Sequence, residues 1–534
     1  MSERVAMFPS DVTGGSPITG GHLDPDGAAH TPPESEAPTF VAAVDLGATS
    51  GRVMVAEVAD GRVTLAQAHR FPTTTLTEQG RLRWDFTGLW REILEGLARA
   101  VRVAADAGGT IRAIGVDTWA VDYGLLDEDG QLIDAPICYR DDRTIEAVEP
   151  VWDLVGGRDR LHQVTGLQHQ RFNTIFQLHD DQRTGRLDDA TTMLLLPDLV
   201  SFRLTGRAAA EATNASTTGL FDATRREWSE EIIGALGLPR SLFPPVVEPG
   251  TVIGPILPAI AEATGLGDDV VVVAVGSHDT ASAVAAVPTT TGEFAYISSG
   301  TWSLVGLELP APVLTEASRR ANFTNELGVD GTVRYLKNVM GLWLLTECQR
   351  AWEDEADDSG GSPAPPLSEL LTLAADLPVD EALVDADDDA FLTHGQMPER
   401  IAAAVEASGG IVPRNPAAFT RCVIDSLAWA YERAIREAQN TTGAVVRQIN
   451  IVGGGSRNSL LCQRTADVTG LPVVAGPAEA SALGNALIAA RAIGAPGCES
   501  VSALRSIVAA SHPLNTYAPA REKARSPFST ERHS

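Results

Sequence analysis

VVVVAVGSHDTASAV, Val270 to Val284, is an apolar run that turns at Gly276 into a polar corner and continues in small residues. The run from Val270 to Val275 reads as a buried strand, and the segment beginning at Asp279 reads as a helix. Asp279 then stands at a strand-to-helix corner, where open α/β sheets form their ligand crevices. Between His278 and Thr280, its carboxylate is placed to accept a proton from a substrate hydroxyl. Capping the helix is the plainer role for the same residue.

Working outward, apolar strands are expected at Val41–Leu46, Arg52–Val58, Ile111–Val116, Glu293–Ser298 and Gln448–Val452. Amphipathic helices are expected at Phe86–Ala105, Met340–Trp352 and Ala418–Gln439, the last with Cys422, Leu427, Ala430 and Ile435 near one stripe. Strands alternating with helices make an α/β architecture. Two internal similarities suggest related halves facing across a cleft. VAAVDLGATSGRVMV (Val41–Val55) resembles FAYISSGTWSLVGL (Phe294–Leu307), and VVAVGSHDTASAVAA (Val272–Ala286) resembles INIVGGGSRNSLL (Ile449–Leu461). The boundary then falls near Pro288. Met1–Pro38 reads as a disordered leader, Glu353–Pro366 as an acidic surface loop between helices, and the stretch after Pro519 as a frayed tail.

Composition narrows the function. The 534 residues are 44% hydrophobic, enough for two or three domains with substantial cores. A net charge of -29, from 41 basic and 70 acidic residues, argues against nonspecific nucleic-acid binding and serves solubility. The five cysteines form no C-x-x-C pair, which argues against a zinc site or a disulfide framework and for a reducing, cytoplasmic compartment. The sequence contains neither an eighteen-residue apolar run nor a secretory signal pattern, so no membrane span is expected.

Five further strings carry chemistry. In DLGATSGR (Asp45–Arg52), Gly47 and Gly51 permit a tight hairpin with N–H groups facing an anion. Thr49 and Ser50 add hydroxyls and Arg52 a charge, while Asp45 can hold Mg²⁺ through water. SSGTWS (Ser298–Ser303) repeats that hairpin around Gly300, as though two jaws gripped one polyphosphate. IVGGGSRN (Ile451–Asn458) gives bare backbone to a ring or phosphate and a cap at Asn458 for a helix ending at Gly470. GVDTWAVDYGLLD (Gly115–Asp127) sets Trp119 beside carboxylates, a platform for a sugar. In YLKNVMGLWLL (Tyr335–Leu345), Asn338 either caps a helix or points its amide at a substrate hydroxyl. Taken singly, each string has an ordinary structural reading: a glycine hairpin, a polar turn, a core tryptophan or a cap. Neither the dinucleotide G-x-G-x-x-G nor the P-loop spacing is present.

In this order the strings, together with YRDDRT (Tyr139–Thr144) and GPAEASALGNA (Gly476–Ala486), resemble the FGGY family of carbohydrate kinases, from about Phe40 to Ile493. GVDTWAVDY and LKNVMGLWLL point to the branch acting on L-rhamnulose. The resemblance implies an actin-like (ribonuclease H-like) ATPase fold of two domains with the active site in the cleft between them. It implies a sugar-binding domain at 39–288, an ATP-binding domain at 289–495 and an extension at 496–534. It also implies ATP, Mg²⁺ and transfer of phosphate to the ketose C1 hydroxyl, in L-rhamnose catabolism, by a monomer or homo-oligomer. By motif, Asp279 is the base and, with Asp45, a metal ligand. Ala120, His278, Asp279, Thr280 and Asn338 line the sugar. Ala48, Thr49, Ser50, Gly51, Arg52, Gly300, Thr301, Thr346, Gly453 and Gly454 contact ATP. Ala120 stands where such chains often carry Gly, and Thr346 where Gln is common.

Phosphoryl transfer then needs positioning and charge neutralisation, with Asp279 expected to be a buried carboxylate of raised pKa. Rival readings are a kinase for L-fuculose, L-ribulose, D-xylulose or a polyol, and an actin-like ATP- and sugar-binding module without transfer. A sensor could dispense with Asp279.

Overall fold

The computed structural model describes residues 37–289, 291–359 and 363–520. Most of the expected leader and the end of the expected tail lie outside them. Two mixed sheets carry the fold. The first contains β1 (Thr39–Leu46), β2 (Ser50–Ala59), β3 (Arg62–Pro72), β4 (Ile111–Thr118), β5 (Val252–Pro255) and β6 (Val271–Val273), in spatial order β5-β6-β4-β1-β2-β3. The second contains β7 (Phe294–Ser299), β8 (Trp302–Leu309), β9 (Thr324–Leu327), β10 (Val333–Met340), β11 (Gln448–Val452), β12 (Val473–Ala475) and β13 (Asn515–Tyr517), in order β9-β10-β8-β7-β11-β12-β13.

Each sheet is built on the same five-strand pattern. β1 pairs antiparallel with β2 and parallel with β4, and β4 pairs parallel with β6. Likewise β7 pairs antiparallel with β8 and parallel with β11, and β11 pairs parallel with β12. The hairpin similarity read from sequence therefore joins topologically equivalent elements. The second similarity does not. It matched the β6 corner to β11, whereas β6 occupies the place of β12. The equivalent of Gly276–Ala286 is thus Gly476–Ala486, and Glu479 falls where Asp279 does. Apolar strand, glycine and polar turn recur after every parallel strand, so local pattern alone could not choose between them.

β1 is almost entirely buried because both of its faces are covered. Helix α1 (Phe86–Asp106) lays Leu89, Ile93, Leu97, Ala100 and Ala104 on the sheet, a helical stripe. Its first turn is capped by Asp85, which accepts from Gly88 N at 2.8 Å. Between the sheets run two helices of small residues, α2 (Asp279–Ala285), and a later one, Ala480–Ala492, that packs on β1, β2 and β4 and against α2. Gly484 permits that crossing: a Cβ there would overlap the Ser282 carbonyl oxygen.

Two expectations change. The strand β10 runs to Met340 because Met340 pairs with Trp302, so helix α3 spans Trp343–Ser359 and begins after Gly341. The expected loop from Glu353 is helical as far as Ser359, with Glu353, Asp354 and Glu355 exposed to solvent, and only its far end, 363–366, is irregular. Residues 360–362 lie outside the described residues. Helix α4 (Pro416–Thr442) keeps the expected limits closely, with Asn415 as its cap and Gly443 in the left-handed conformation that ends it. Helix α5 (Ser459–Thr469) is capped by Asn458 and ended by Gly470, and α6 is the Ala480–Ala492 helix.

Candidate active site

The carboxyl ends of β1, β4 and β6 meet at one point, as the ligand-binding ends of parallel strands do. The β1–β4 register sets Asp45 directly beside Asp117. Thr118 bridges to His278, and its N–H donates to Ser277 O at 2.9 Å, bringing the Asp279 corner alongside. Glu211 fixes that corner. Its buried carboxylate accepts from Ser277 N at 3.0 Å, Ser277 Oγ at 2.7 Å and Thr213 Oγ1 at 2.6 Å.

This assembly concentrates negative charge. Burial pushes the Asp45 carboxyl up to about 6, partly offset by Arg52 and reinforced by Asp279. Asp117 is pushed well above the usual carboxylate range by burial and by Asp45. Its Oδ2 accepts from Asn485 Nδ2 at 2.5 Å, while its buried Oδ1 has no hydrogen-bond partner among the described residues. Asp279 is not the buried carboxylate expected from sequence. Its side chain is 34% exposed at the corner, because the helix starts there and turns it toward open space. Thr280 Oγ1 donates to its Oδ1 at 3.0 Å.

Arg52 links the halves: Nε donates to Asp45 Oδ2 at 3.0 Å and Nη1 to Glu479 Oε2. Arg457 reaches the other Glu479 oxygen at 3.0 Å. Among the described residues no group of three acidic, histidine or cysteine side chains is arranged to hold a metal. The oxygen donors of Asp45 and Asp279 and the orphaned Asp117 Oδ1 nevertheless suit Mg²⁺, which takes one or two carboxylates and completes its shell with water and phosphate oxygens.

Both hairpins close through a glycine N–H. Gly47 N and Gly300 N close the turns onto Ser50 O at 3.1 Å and Trp302 O at 2.8 Å. Among the described residues the N–H groups of Ala48, Thr49 and Thr301 have no protein acceptor. Thr49 is exposed, Ala48, Ser50 and Thr301 are half-buried, and Gly51 is covered by the Phe71 ring. The three glycines after β11 divide their work. Gly453 and Gly455 lie against Ser299 of the second hairpin, whereas a Cβ on Gly454 would meet nothing within 4 Å. Gly454 is the open face. Thr346, on the first turn of α3, is exposed and spends its hydroxyl on Leu342 O at 3.1 Å.

Beside the carboxylates lies an aromatic floor. Trp84 and Trp119 pack at 4.3 Å between ring centroids, and both indole N–H groups donate to Asp122 Oδ2, at 2.7 and 3.0 Å. Tyr139 adjoins Trp84, and Phe172 adjoins Tyr139. Burial pushes the Asp122 carboxyl up to about 6 against these hydrogen bonds. Ala120 precedes Val121, whose φ of 70° is a conformation β-branched residues rarely adopt. It is held by Thr174 Oγ1, which donates to the Val121 carbonyl at 2.7 Å. Among the described residues the Ala120 N–H has no protein acceptor.

Asn338 lies within β10 and caps no helix. Its N–H and Nδ2 donate to Gln168 Oε1 at 3.0 and 2.9 Å. His278 is buried, with Nδ1 3.0 Å from Glu326 Oε2 and Nε2 3.5 Å from Asp279 Oδ1. Burial raises the Glu326 carboxyl, but Arg334 and His278 outweigh it and hold it below the usual range. Arg334, fully buried, lies 3.1 Å from Glu326. Sequence reasoning missed Glu479, Asp122, Gln168, Glu326 and Arg334. Glu479 alone had a signal, its offset from Gly476 matching that of Asp279 from Gly276.

The model of the FGGY carbohydrate kinase N-terminal domain matches residues 40–286, and that of the C-terminal domain matches residues 295–493. A rhamnulokinase of Bacteroides thetaiotaomicron is 39% identical over 479 residues, covering 89% of this chain and 95% of its own. A rhamnulokinase of Pectobacterium carotovorum is 40% identical over 488 residues, covering 90% and 93%. Among solved structures, a ligand-bound xylulose kinase from Lactobacillus acidophilus aligns with a TM-score of 0.74 at 16% identity, over 90% of this chain and 94% of its own. A Plasmodium falciparum glycerol kinase with ADP aligns at 0.69 and 14%, over 90% and 94%. At these identities the likeness is one of fold.

Proposed function

The chain belongs to the FGGY family of carbohydrate kinases, and we propose that it transfers the γ-phosphate of ATP to the C1 hydroxyl of L-rhamnulose. One observation carries the choice of sugar: relatives about 40% identical over nine-tenths of the chain bear the name rhamnulokinase. The proposed division puts the sugar mainly on residues 39–288 and the nucleotide mainly on 289–495, with the five buried, unpaired cysteines in keeping with a cytoplasmic enzyme. No helix among the described residues is long and apolar enough to cross a membrane.

In this reading the ketose rests its C–H face on Trp119 and meets the Ala120 N–H, His278, Thr280 and the Asn338 amide. Asp279 takes the C1 proton as that oxygen bonds the γ-phosphorus and the bond to ADP breaks. The free N–H groups of Ala48, Thr49 and Thr301 face the phosphates, together with Ser50, Gly51 and Gly300. Arg52 exchanges its carboxylate partners for phosphate oxygens. Gly453, Gly454 and Thr346 border the nucleotide. Mg²⁺ held by Asp45 and Asp279 would neutralise phosphate charge. Steady-state ADP release over a panel of L-rhamnulose, L-fuculose, L-ribulose and D-xylulose tests the assignment. L-rhamnulose should give the highest kcat/KM, and preference for another ketose would replace it.

Asp122 gives a pH prediction. Its carboxylate accepts from two indoles and the Tyr139 N–H, so the charged form organises the floor. Protonation as pH falls through about 6 puts a proton where every neighbour is a donor. The KM for the ketose should therefore rise below that pH. Asp122→Asn should raise KM roughly tenfold at neutral pH, the size of one hydrogen bond to a charged group at about 1.5 kcal/mol. It should also flatten the KM profile; an unchanged profile would remove Asp122 from this role.

A further inference from the structure

Behind the aromatic floor the backbone makes a turn that few residues adopt. The Asp122 N–H donates to Ala120 O at 3.0 Å across Val121, whose φ is 70°. This is the left-handed γ-turn, rare and strained, and more so for a β-branched residue. Such a conformation persists only where its surroundings over-determine it. The turn carries Ala120 on one side and Asp122 on the other, so it joins two groups assigned to the sugar.

Gln177 holds both arms. It lies on the helix Thr174–Arg183 and is buried. Its Nε2 is 2.8 Å from Phe172 O and 3.3 Å from both Val121 O and Asp122 Oδ1. Its Oε1 accepts from Arg143 Nη2 at 2.8 Å. These contacts leave the amide a single orientation. A guanidinium only donates, so the atom facing Arg143 is the oxygen. Backbone carbonyls only accept, so the atom facing Phe172 and Val121 carries the hydrogens. Arg143 is fixed in turn: it is buried, and its Nη1 pairs with Asp181, which also accepts from Arg186 Nη1 at 2.7 Å and from the Tyr123 hydroxyl. Thr174 stands three positions before Gln177, on the same helix face, and its hydroxyl donates to the same Val121 carbonyl. One helical turn therefore clamps the strained peptide.

We propose that Gln177, oriented by Arg143, is a positioning residue for ketose binding: it holds the Val121 turn and the Asp122 carboxylate in the geometry the sugar meets, without touching the sugar. The role rests on the reading that puts the sugar against Trp119 and Ala120. Packing alone would be met by any side chain of this size; an amide is needed because one end meets a donor and the other meets three acceptors.

Steady-state KM for the ketose the chain prefers, at saturating ATP, tests the role in a double-mutant cycle. Gln177→Met fills similar space and donates nothing. Its KM should rise about tenfold, the cost of leaving buried acceptors unpaired. The bond between Gln177 and Asp122 can be lost only once, so Gln177→Met combined with Asp122→Asn should raise KM by less than the product of the two single effects. A swap gives the opposite sign of change. Gln177→Glu keeps the Arg143 bond but sets two carboxyls face to face; adding Asp122→Asn restores one carboxylate and one amide, with the amide oxygen still accepting from the indoles. At alkaline pH, which keeps the introduced carboxyl charged, the swapped pair should have a lower KM than Gln177→Glu alone. Where Gln177→Met does not fold, the swap carries the test. Effects that simply multiply, or a swap no better than Gln177→Glu, would make Gln177 a packing residue and overturn the proposal. A raised KM in Asp122→Asn with a wild-type KM in Gln177→Met overturns it too and leaves the sugar floor standing. A wild-type KM in every variant strikes the floor itself, and the proposal with it.

Discussion

Asp279→Asn is expected to lower kcat by about 10²–10⁴-fold, the usual worth of a general base. The substitution is nearly isosteric, and its amide oxygen still accepts from Thr280 Oγ1, so the corner keeps its shape. What disappears is the proton acceptor and one carboxylate from the cluster with Asp45 and Asp117. The KM for ATP should stay close to wild type, because the free N–H groups of the hairpins are untouched. Single-turnover phosphoryl transfer and ATP titration separate the two effects. Near-normal turnover would remove Asp279 from the mechanism.

Gly484→Ala is expected to destabilise the whole chain. Inside a helix this change ordinarily stabilises by about 1 kcal/mol. Here the added Cβ overlaps the Ser282 carbonyl of α2, and backbone cannot swing aside as a side chain does. Overpacking of this kind typically costs about 1–3 kcal/mol, reversing the sign. The strain also reaches the site, since α2 begins at Asp279 and Asn485, next to Gly484, holds Asp117. Chemical denaturation should show a lower midpoint, and kcat should fall with it. Gly234→Ala is the control. Gly234 is also helical, but its Cβ would meet nothing within 4 Å, so that variant should be neutral or stabilised. Equal behaviour of the two variants would refute the account.

The architecture was legible because each sheet starts from a hairpin with its own glycine turn. β1–β2 and β7–β8 stand where the sequence put them, as does the corner at Asp279. What misled was also local. Acidic composition suggested a loop at Glu353, but Glu and Ala are good helix formers and the acids simply face water. Asn338 looked like a cap because a helix follows closely, yet pairing with β8 keeps it in a strand.

By itself the sequence determined the fold class, the family and the residues of the motifs, since turns, apolar runs and strand-end carboxylates are set within a few positions of one another. Tertiary structure decided what those residues face. It put Asp45 against Asp117 by strand register and brought Glu479 onto Arg52 from 427 residues away. It turned Gln168 to Asn338 across 170 residues, and it left Asp279 partly open while its neighbours were buried. The charge state and exposure of a carboxylate follow from everything packed around it, and that packing is assembled from segments whose separation along the chain carries no local signal.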